Sequence, residues 1–361
     1  MATTRTILVA TGGTGGHVFP GLAVADELVR RDPGTRVVFA GTARGLETRL
    51  VPRAGYALEL LPILPLNAIS AARTLKGLAA LPWGMARAAG LVRRLKPAAV
   101  LGIGGYAGGP VTLLAALLGV KAVLLEPNAK PGFTNRVLKP FVEKAACAYE
   151  EARVYFGAKG VLTGNPVRGG FAALPRKAHE APLTLLAFGG SQGSRILNEA
   201  LVAAIPHLPG QGALRLVHQT GPAMHEAVAA AYRAAGREAE VLPFLDDMER
   251  RFADADLVLA RSGATTCAEL TVAGKAAVLV PFARSADDHQ RTNARALAAA
   301  GAAVMIEEHE LGGEPLARAL AALAADPARI AAMEESSRRL GRPDAAARVA
   351  DLLVGPEVAR V

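Results

Sequence analysis

Glycine clusters that follow apolar runs carry the first chemistry legible in this chain. GGSQG (189–193) follows LTLLAF (183–188) and precedes a helical pattern of Ile196, Leu197, Ala200 and Leu201. A strand, a glycine turn and a helix start together make an anion site, because free backbone N–H groups and the positive end of the helix dipole converge on the turn. Ser191 adds a hydroxyl donor; taken alone, the turn also fits an ordinary strand-to-helix connection. GGTGGH (12–17) follows TILVA (6–10) and opens a helix carrying Leu22, Ala25, Leu28 and Val29. GIGGYAGGP (102–110) follows a further apolar run. His17 stands at a helix start where the dipole disfavours the imidazolium; a lone histidine after a glycine loop is often merely structural, and the alternative is a general base. Downstream, RSGATTCAEL (261–270) puts Glu269 in the second turn of a helix, where a carboxylate can accept both hydroxyls of a ribose or merely cap the surface. DDHQRTNAR (287–295) offers Asp287, Asp288, His289, Gln290 and Asn293, short hydrogen-bonding side chains of the kind that read sugar hydroxyls. FLDDM (244–248) can present the backbone of Leu245 to a base edge. None of the glycine clusters fits G-x-G-x-x-G or ends in G-K-[ST], which disfavours a dinucleotide dehydrogenase and a P-loop NTPase.

Such loops need strands to hold them. Apolar runs at 5–10, 36–41, 57–62, 98–103, 121–125, 144–149 and 160–163 alternate with helical patterns. The same alternation restarts at 183–188, 213–218, 239–243, 256–260, 276–280 and 303–306. Helices are expected near 194–204, 223–236, 264–273, 288–300 and 314–325, and an apolar pattern after Asp344 predicts a terminal helix that packs back on the first domain. Alternation of this kind predicts parallel sheets covered by helices on both faces. GNPVR (164–168) and the Pro-, Lys- and His-containing stretch to Pro182 break the period, so the expected domains are 1–165 and 166–343, with 344–361 returning to the first. Two doubly wound α/β domains imply a cleft between the carboxyl ends of two sheets, the edge where such folds bind ligands.

At 361 residues and 51% hydrophobic composition the chain can build two sizeable cores. Its two cysteines, Cys147 and Cys267, lie far apart with no C-x-x-C, which reads as a reduced cytoplasmic protein without a structural metal. The N-terminus enters a strand at once, leaving no room for a signal peptide, and no apolar run reaches the roughly 18–20 residues of a spanning helix. Charge is distributed unevenly. Leu60 to Leu125 holds no Asp or Glu but seven basic residues, Arg73, Lys76, Arg87, Arg93, Arg94, Lys96 and Lys121, against a net charge of +9 for the whole chain. One-sided fields of this sort point to an anionic partner. Within it, 66–96 reads as helical and carries Ile69, Leu75, Leu78, Leu81, Trp83 and Met85; Pro82 and Gly84 are expected to break it. Basic side chains with apolar ones and a tryptophan suit an anionic bilayer surface, and a packed helix with a solvated basic face is the other reading. No nucleic-acid-binding module is present, so nucleic acid is not an expected partner.

Taken together, GGTGGHVFPG (12–21), GGYAGGP (104–110), GNPVR (164–168), GGSQGSR (189–195), RSGATTCAEL and DDHQRTNAR resemble the MurG family of peptidoglycan glycosyltransferases, in order and over nearly the whole chain. The resemblance implies a GT-B architecture, two Rossmann-like domains facing across a cleft. It implies inverting, metal-independent transfer of N-acetylglucosamine from UDP-GlcNAc to the MurNAc 4-hydroxyl of lipid I, giving lipid II, with no cofactor. Peripheral attachment to the cytoplasmic face of the cell membrane is implied as well. Carried over residue by residue, the backbone at Leu245 would read uracil and Glu269 the ribose. Ser191 and Arg168 would hold the diphosphate, and Ala264, Thr265, Thr266, Cys267 and Ala268 would line the nucleotide pocket. Gln290, Asn128, His289 and Asn293 would hold the sugar hydroxyls. Thr14, Gly15 and Gly16 would close over the donor, and His17, Tyr106 and Glu126 would face the acceptor, with His17 and Glu126 rival candidates for the base. Members of the family often read His-Glu-Gln-Asn where this chain has Leu125-Glu126-Pro127-Asn128, so roles of that histidine and glutamine do not transfer. A UDP-GlcNAc 2-epimerase of the same architecture would leave the acid-free basic stretch without a purpose. A non-catalytic anionic-lipid binder would leave the 261–269 and 287–293 constellations without one.

Overall fold

A computed structural model describes residues 5–63, 71–190, 192–285 and 288–357, without the side chains of 71–81 and of Tyr106. Ser191, Asp287 and the 66–70 portion of the basic stretch therefore lie outside the described residues. The chain divides into two compact units, Met1–Arg168 with Arg342–Val361, and Gly169–Gly341.

The first unit runs β1 (Thr6–Ala10), α1 (Gly15–Arg31), β2 (Arg36–Gly41), α2 (Glu47–Arg53), β3 (Ala57–Leu60), α3 (Ala71–Leu95), β4 (Ala99–Gly102), α4 (Gly105–Leu117), β5 (Lys121–Glu126), α5 (Phe133–Leu138), β6 (Lys144–Cys147), α6 (Glu150–Phe156) and β7 (Gly160–Leu162). The second runs β8 (Leu183–Phe188), α7 (Arg195–Ala204), β9 (Leu214–Gln219), α8 (His225–Ala234), β10 (Glu240–Leu242), α9 (Met248–Asp254), β11 (Leu257–Ala260), α10 (Ala264–Ala273), β12 (Ala276–Leu279), α11 (His289–Ala299), β13 (Ala303–Met305), α12 (Gly313–Ala324) and α13 (Pro327–Leu340). A last helix, α14 (Ala345–Val354), belongs to the first unit.

The described strands form one sheet per unit, ordered β3-β2-β1-β4-β5-β6-β7 and β10-β9-β8-β11-β12-β13, and every pairing is parallel. Both orders reverse direction between the first and fourth strands of their unit. At such a switch point the two connecting helices leave on opposite faces, and the loops after those strands splay apart to leave a crevice. The glycine clusters at 12–16 and 102–105 follow β1 and β4, and the 189–193 turn and the 261–263 loop follow β8 and β11. Each pair of candidate loops thus flanks the switch point of its own sheet.

Period-two alternation divides the first core. Ile7 and Val9 pack with Leu22, Leu28, Phe39 and Leu101 on one face, while Leu8 and Ala10 pack with Val38, Val100, Ala107 and Val111 on the other. Val349, Ala350 and Leu353 of α14 complete the first of these faces. Arg31 holds the helix there, with ion pairs to Glu27 at 2.7 Å and Asp351 at 2.6 Å and a hydrogen bond to the Ala347 carbonyl at 2.9 Å. In the second unit all six residues of β8 are buried, as a strand covered on both faces requires.

Some expectations need correction. Pro82 does not break its helix: α3 is continuous from Ala71 to Leu95. Proline removes one backbone donor, and its ring here is exposed. Gly84 is buried instead, because a Cβ there would lie 2.8 Å from Ile63. Helices α9 and α13 add to those expected, and α13 starts from a full N-cap, Asp326 accepting from the Arg329 amide at 2.9 Å with Pro327 behind it.

Candidate functional site

In the first unit the site begins at the Gly12–Gly13 peptide. Gly13 takes φ +87°, a conformation that favours glycine, and the chain then turns into α1 with Thr14 at its cap. His17 sits half-buried in the first turn. Its Nδ1 lies 3.0 Å from the Gly12 carbonyl and 3.3 Å from Thr14 Oγ1. A carbonyl only accepts, so this contact places the ring proton on Nδ1 and leaves Nε2 the basic nitrogen of the neutral ring. Gly104, with φ +88°, brings the loop after β4 beside it; a Cβ at that position would lie 3.6 Å from His17 Nε2 and 3.9 Å from Asn135 Oδ1. Gly105 meets the Gly12 carbonyl so closely that a Cβ would stand 2.8 Å from it. The two glycine clusters therefore pack backbone against backbone, which no larger residue allows. The Tyr106 side chain lies outside the described residues.

Glu126 ends β5 and is 1% exposed. Its Oε1 accepts from the Asn128 amide (3.0 Å) and Asn128 Nδ2 (3.3 Å), and its Oε2 from the Gly132 amide (2.9 Å) and Asn135 Nδ2 (2.8 Å). Burial pushes its carboxyl above the usual range, and the four donors pull in the opposite direction. Asn135 also donates to the Leu125 carbonyl at 3.0 Å, so the side chain ties α5 to the end of β5. Leu125 is fully buried in the first core, and Pro127, also buried, offers no N–H. Arg168 belongs to this unit too, its guanidinium carbon 4.9 Å from the centroid of Phe19 on α1.

Sequence reasoning passed over one group here. Glu47, the first residue of α2, is fully buried. Its Oε1 accepts from Thr42 N (2.9 Å) and Thr42 Oγ1 (3.0 Å), and its Oε2 accepts from Gly13 N (3.1 Å). A glutamate opening a short helix looks like a solvated dipole partner, and only the missing Cβ atoms at Gly41 and Gly45 let it turn inward.

In the second unit the turn after β8 holds Gly190 and Gly193 at positive φ. A Cβ on Gly193 would collide with the Thr220 carbonyl, so the turn is moulded against the end of β9. Ser194 caps α7, and its hydroxyl receives Arg261 Nε at 3.1 Å. Arg261 is mostly buried and reaches Glu308 at 2.6 Å and the Val280 and Pro281 carbonyls at 3.2 Å each, above the Phe282 ring. This arginine, missed as a scaffold from the sequence, joins the turn after β8 to the loop after β12. Asn198, also unforeseen, donates to the Thr220 carbonyl at 2.8 Å and accepts from His218 Nε2 at 3.1 Å. Burial lowers the His218 ring to about 4.

The remaining expected residues lie in and around the helices α10 and α11. Glu269 sits in the second turn of α10 and is 6% exposed; Thr265, Thr266 and Ala268 are half-buried. Cys267 points into the interior instead, at 1% exposure. Asn293 is fully buried, its Nδ2 3.3 Å from the Ser262 carbonyl, while Ser262 Oγ donates to the Gln290 carbonyl at 2.8 Å. Asn293 thus ties α11 to the loop after β11 rather than presenting itself to a ligand. Gln290 accepts the Phe282 amide at 3.0 Å through Oε1, which leaves its NH2 group as the donor end. His289 is half-buried at the start of α11, and Leu245 is buried after β10.

Comparison with known proteins accounts for both units. Residues 7–147 match the glycosyltransferase family 28 N-terminal domain and residues 184–349 its C-terminal domain. A UDP-N-acetylglucosamine–N-acetylmuramyl-(pentapeptide) pyrophosphoryl-undecaprenol N-acetylglucosamine transferase of Myxococcus xanthus is 46% identical over 352 residues, covering 96% of this chain and 92% of that protein. An enzyme of the same name from Anaeromyxobacter is 47% identical over 351 residues, with 96% and 92% covered. The crystal structure of Acinetobacter baumannii MurG superposes with a TM-score of 0.78 at 33% identity, covering 97% of this chain and 99% of that one. A UDP-GlcNAc 2-epimerase from Neisseria meningitidis shares the fold, with a TM-score of 0.69, at only 11% identity, covering 97% and 100% of the two chains. The chain belongs to glycosyltransferase family 28, and within it to the MurG family of N-acetylglucosaminyltransferases.

Proposed function

We propose that this enzyme transfers N-acetylglucosamine from UDP-GlcNAc to the MurNAc 4-hydroxyl of lipid I, forming lipid II with inversion at the anomeric carbon and no metal ion. The observation that carries the reading is His17: its proton is committed to the Gly12 carbonyl, so Nε2 is the nitrogen able to accept another. As the acceptor oxygen attacks C1 of the donor sugar, its proton passes to Nε2, the bond from C1 to the β-phosphate oxygen breaks, and UDP leaves with the electron pair on the opposite face. The amides of the 189–193 turn, Ser191 and Arg168 offset the charge that grows on UDP. Leu245 and Glu269 hold the uridine, Thr265, Thr266 and Ala268 line its pocket, and Gln290, His289 and Asn128 bind the sugar. Thr14, Gly15 and Gly16 close over the donor, and Tyr106 contacts the acceptor. In this scheme Glu126 shapes the loop that carries Asn128.

Attachment to the cytoplasmic membrane face is supported by α3. Among the described residues no helix is long and apolar enough to cross a membrane. Trp83 is 62% exposed, Arg87, Arg93 and Arg94 are exposed along the same helix, and the exposed Lys96 follows its last residue. Arg87→Glu with Arg93→Glu should abolish binding to anionic vesicles; unchanged binding refutes the attachment surface.

The transferase reading is tested by UDP release from UDP-GlcNAc with a lipid I analogue, with and without EDTA, beside an acceptor-free control. Acceptor-dependent release that survives EDTA is expected, with at least a hundredfold loss in His17→Ala, given the ~10²–10⁴-fold contribution of a general base. Release without acceptor overturns the reading. Near-full turnover of His17→Ala removes the base assignment alone.

A further inference from the structure

The carbonyl that receives His17 Nδ1 and the amide that donates to Glu47 belong to the same peptide group, the one joining Gly12 to Gly13. Glu47 thus stands in line with the imidazole: carboxylate, peptide N–H, peptide C=O, ring N–H. The arrangement is built from several sides. Thr42 supplies two donors to the other carboxylate oxygen, and Leu46 N donates to the Gly13 carbonyl at 3.3 Å. At Gly41 a Cβ would stand 2.6 Å from the Glu47 side chain, and at Gly45 it would overlap the carboxylate. A buried carboxylate is costly unless fully hydrogen-bonded, and here both oxygens accept, one from Thr42 and the other from the Gly13 amide.

We infer that Glu47 is a positioning residue for the transfer reaction, acting on His17 through the Gly12–Gly13 peptide; this rests on His17 being the base. A carboxylate bound to a peptide N–H draws the amide toward its charge-separated form and makes the carbonyl a stronger acceptor, as hydrogen bonds in series polarise one another. The strengthened carbonyl holds the proton on Nδ1 and raises the basicity of Nε2, the service that a carboxylate renders directly in a catalytic triad. Among the described residues, Thr14 Oγ1 of the α1 cap also meets the ring, Gly104 at the start of α4 lies beside it, and Asn135 of α5, bound to Glu126, borders Gly104 in turn.

The test is ¹⁵N NMR of the imidazole of His17 in the full chain, assigned by its loss in His17→Ala. In the unmodified protein the neutral ring must carry its proton on Nδ1; an Nε2–H tautomer overturns the inference without any variant. In Glu47→Gln, whose fold is checked by amide spectra, the proton affinity of the ring should fall about three- to tenfold, and the acid limb of kcat/KM should move with it while KM for UDP-GlcNAc stays the same. Thr42→Val, which removes one hydroxyl contact and leaves the link to Gly13, should shift neither. A folded Glu47→Gln protein with an unmoved ring titration refutes the relay. A titration that moves while kcat/KM does not upholds the relay and removes His17 as the base.

Discussion

Replacing Glu126 by glutamine separates a chemical role from an architectural one. The carboxylate accepts from four donors, two on each oxygen, at 2.8–3.3 Å. A glutamine has one accepting oxygen. Turned toward Gly132 and Asn135, it points an NH2 group at the Asn128 amide and side chain; turned the other way, it strands Gly132 N and the buried Asn135. Each stranded donor costs about 1–3 kcal/mol, less a part recovered because no charge is buried any longer. The net expectation is about 2–4 kcal/mol lost from the first unit. Native-state hydrogen exchange across residues 121–138 reads that unit alone, and protection should fall about thirty- to a thousandfold. Turnover should fall with the fraction of molecules keeping the loop closed, and cooling should restore it. An E126Q protein with native protection and turnover reduced a thousandfold or more would refute this reasoning and make the carboxylate the proton acceptor.

Further outcomes are expected in the second unit. Glu269→Gln should weaken UDP binding about ten- to a hundredfold by calorimetry, the worth of charge-assisted hydrogen bonds, and should lose no more with 2′-deoxy-UDP; a full additional loss excludes the ribose contact. His218 should make this unit acid-labile. Its ring takes up a proton near the ordinary 6.5 when unfolded but only at about 4 when folded, so stability falls as pH drops through that window, by about 3 kcal/mol in total. The pH dependence of urea unfolding should show this uptake, and His218→Gln should flatten it. Gly193→Ala should unfold the turn after β8, since its Cβ meets the Thr220 carbonyl and its φ is positive; a melting curve unchanged from the parent contradicts that.

The sheets were legible because parallel strands covered on both faces are written as short apolar runs that end near glycine, as β8 does before Gly189 and β11 before Arg261-Ser262-Gly263. Helix α13 escaped because PARIAAMEESSRRL is polar over most of its circumference, although Asp326-Pro327 was a start signal available to be read. The expected break at Pro82 failed: one interior proline costs a single backbone hydrogen bond, and α3 runs on through it. At the site, local motifs pointed to His17 and Glu269, whereas Glu126 came only from the family resemblance. What the motifs cannot convey is burial. Whether Glu47, Asn293 or Cys267 faces a ligand or the interior depends on neighbours distant in sequence, such as the missing Cβ atoms of Gly41 and Gly45. The tautomer of His17 is set by a carbonyl five residues away and has no signature in composition or period.

The return of α14 to the first unit imposes a schedule on synthesis. Everything in Gly169–Gly341 is contiguous and can fold as soon as it leaves the ribosome. The unit that begins earlier must wait, with Val24, Ala25 and Leu28 of α1 lacking their partners, until Val349, Ala350 and Leu353 have been made. A stop codon just before residue 345 would therefore spare the unit that immediately precedes it and cripple the one encoded first, the unit that holds His17. Chaperone demand should follow the same order, falling on the nascent amino-terminal half throughout translation of the other.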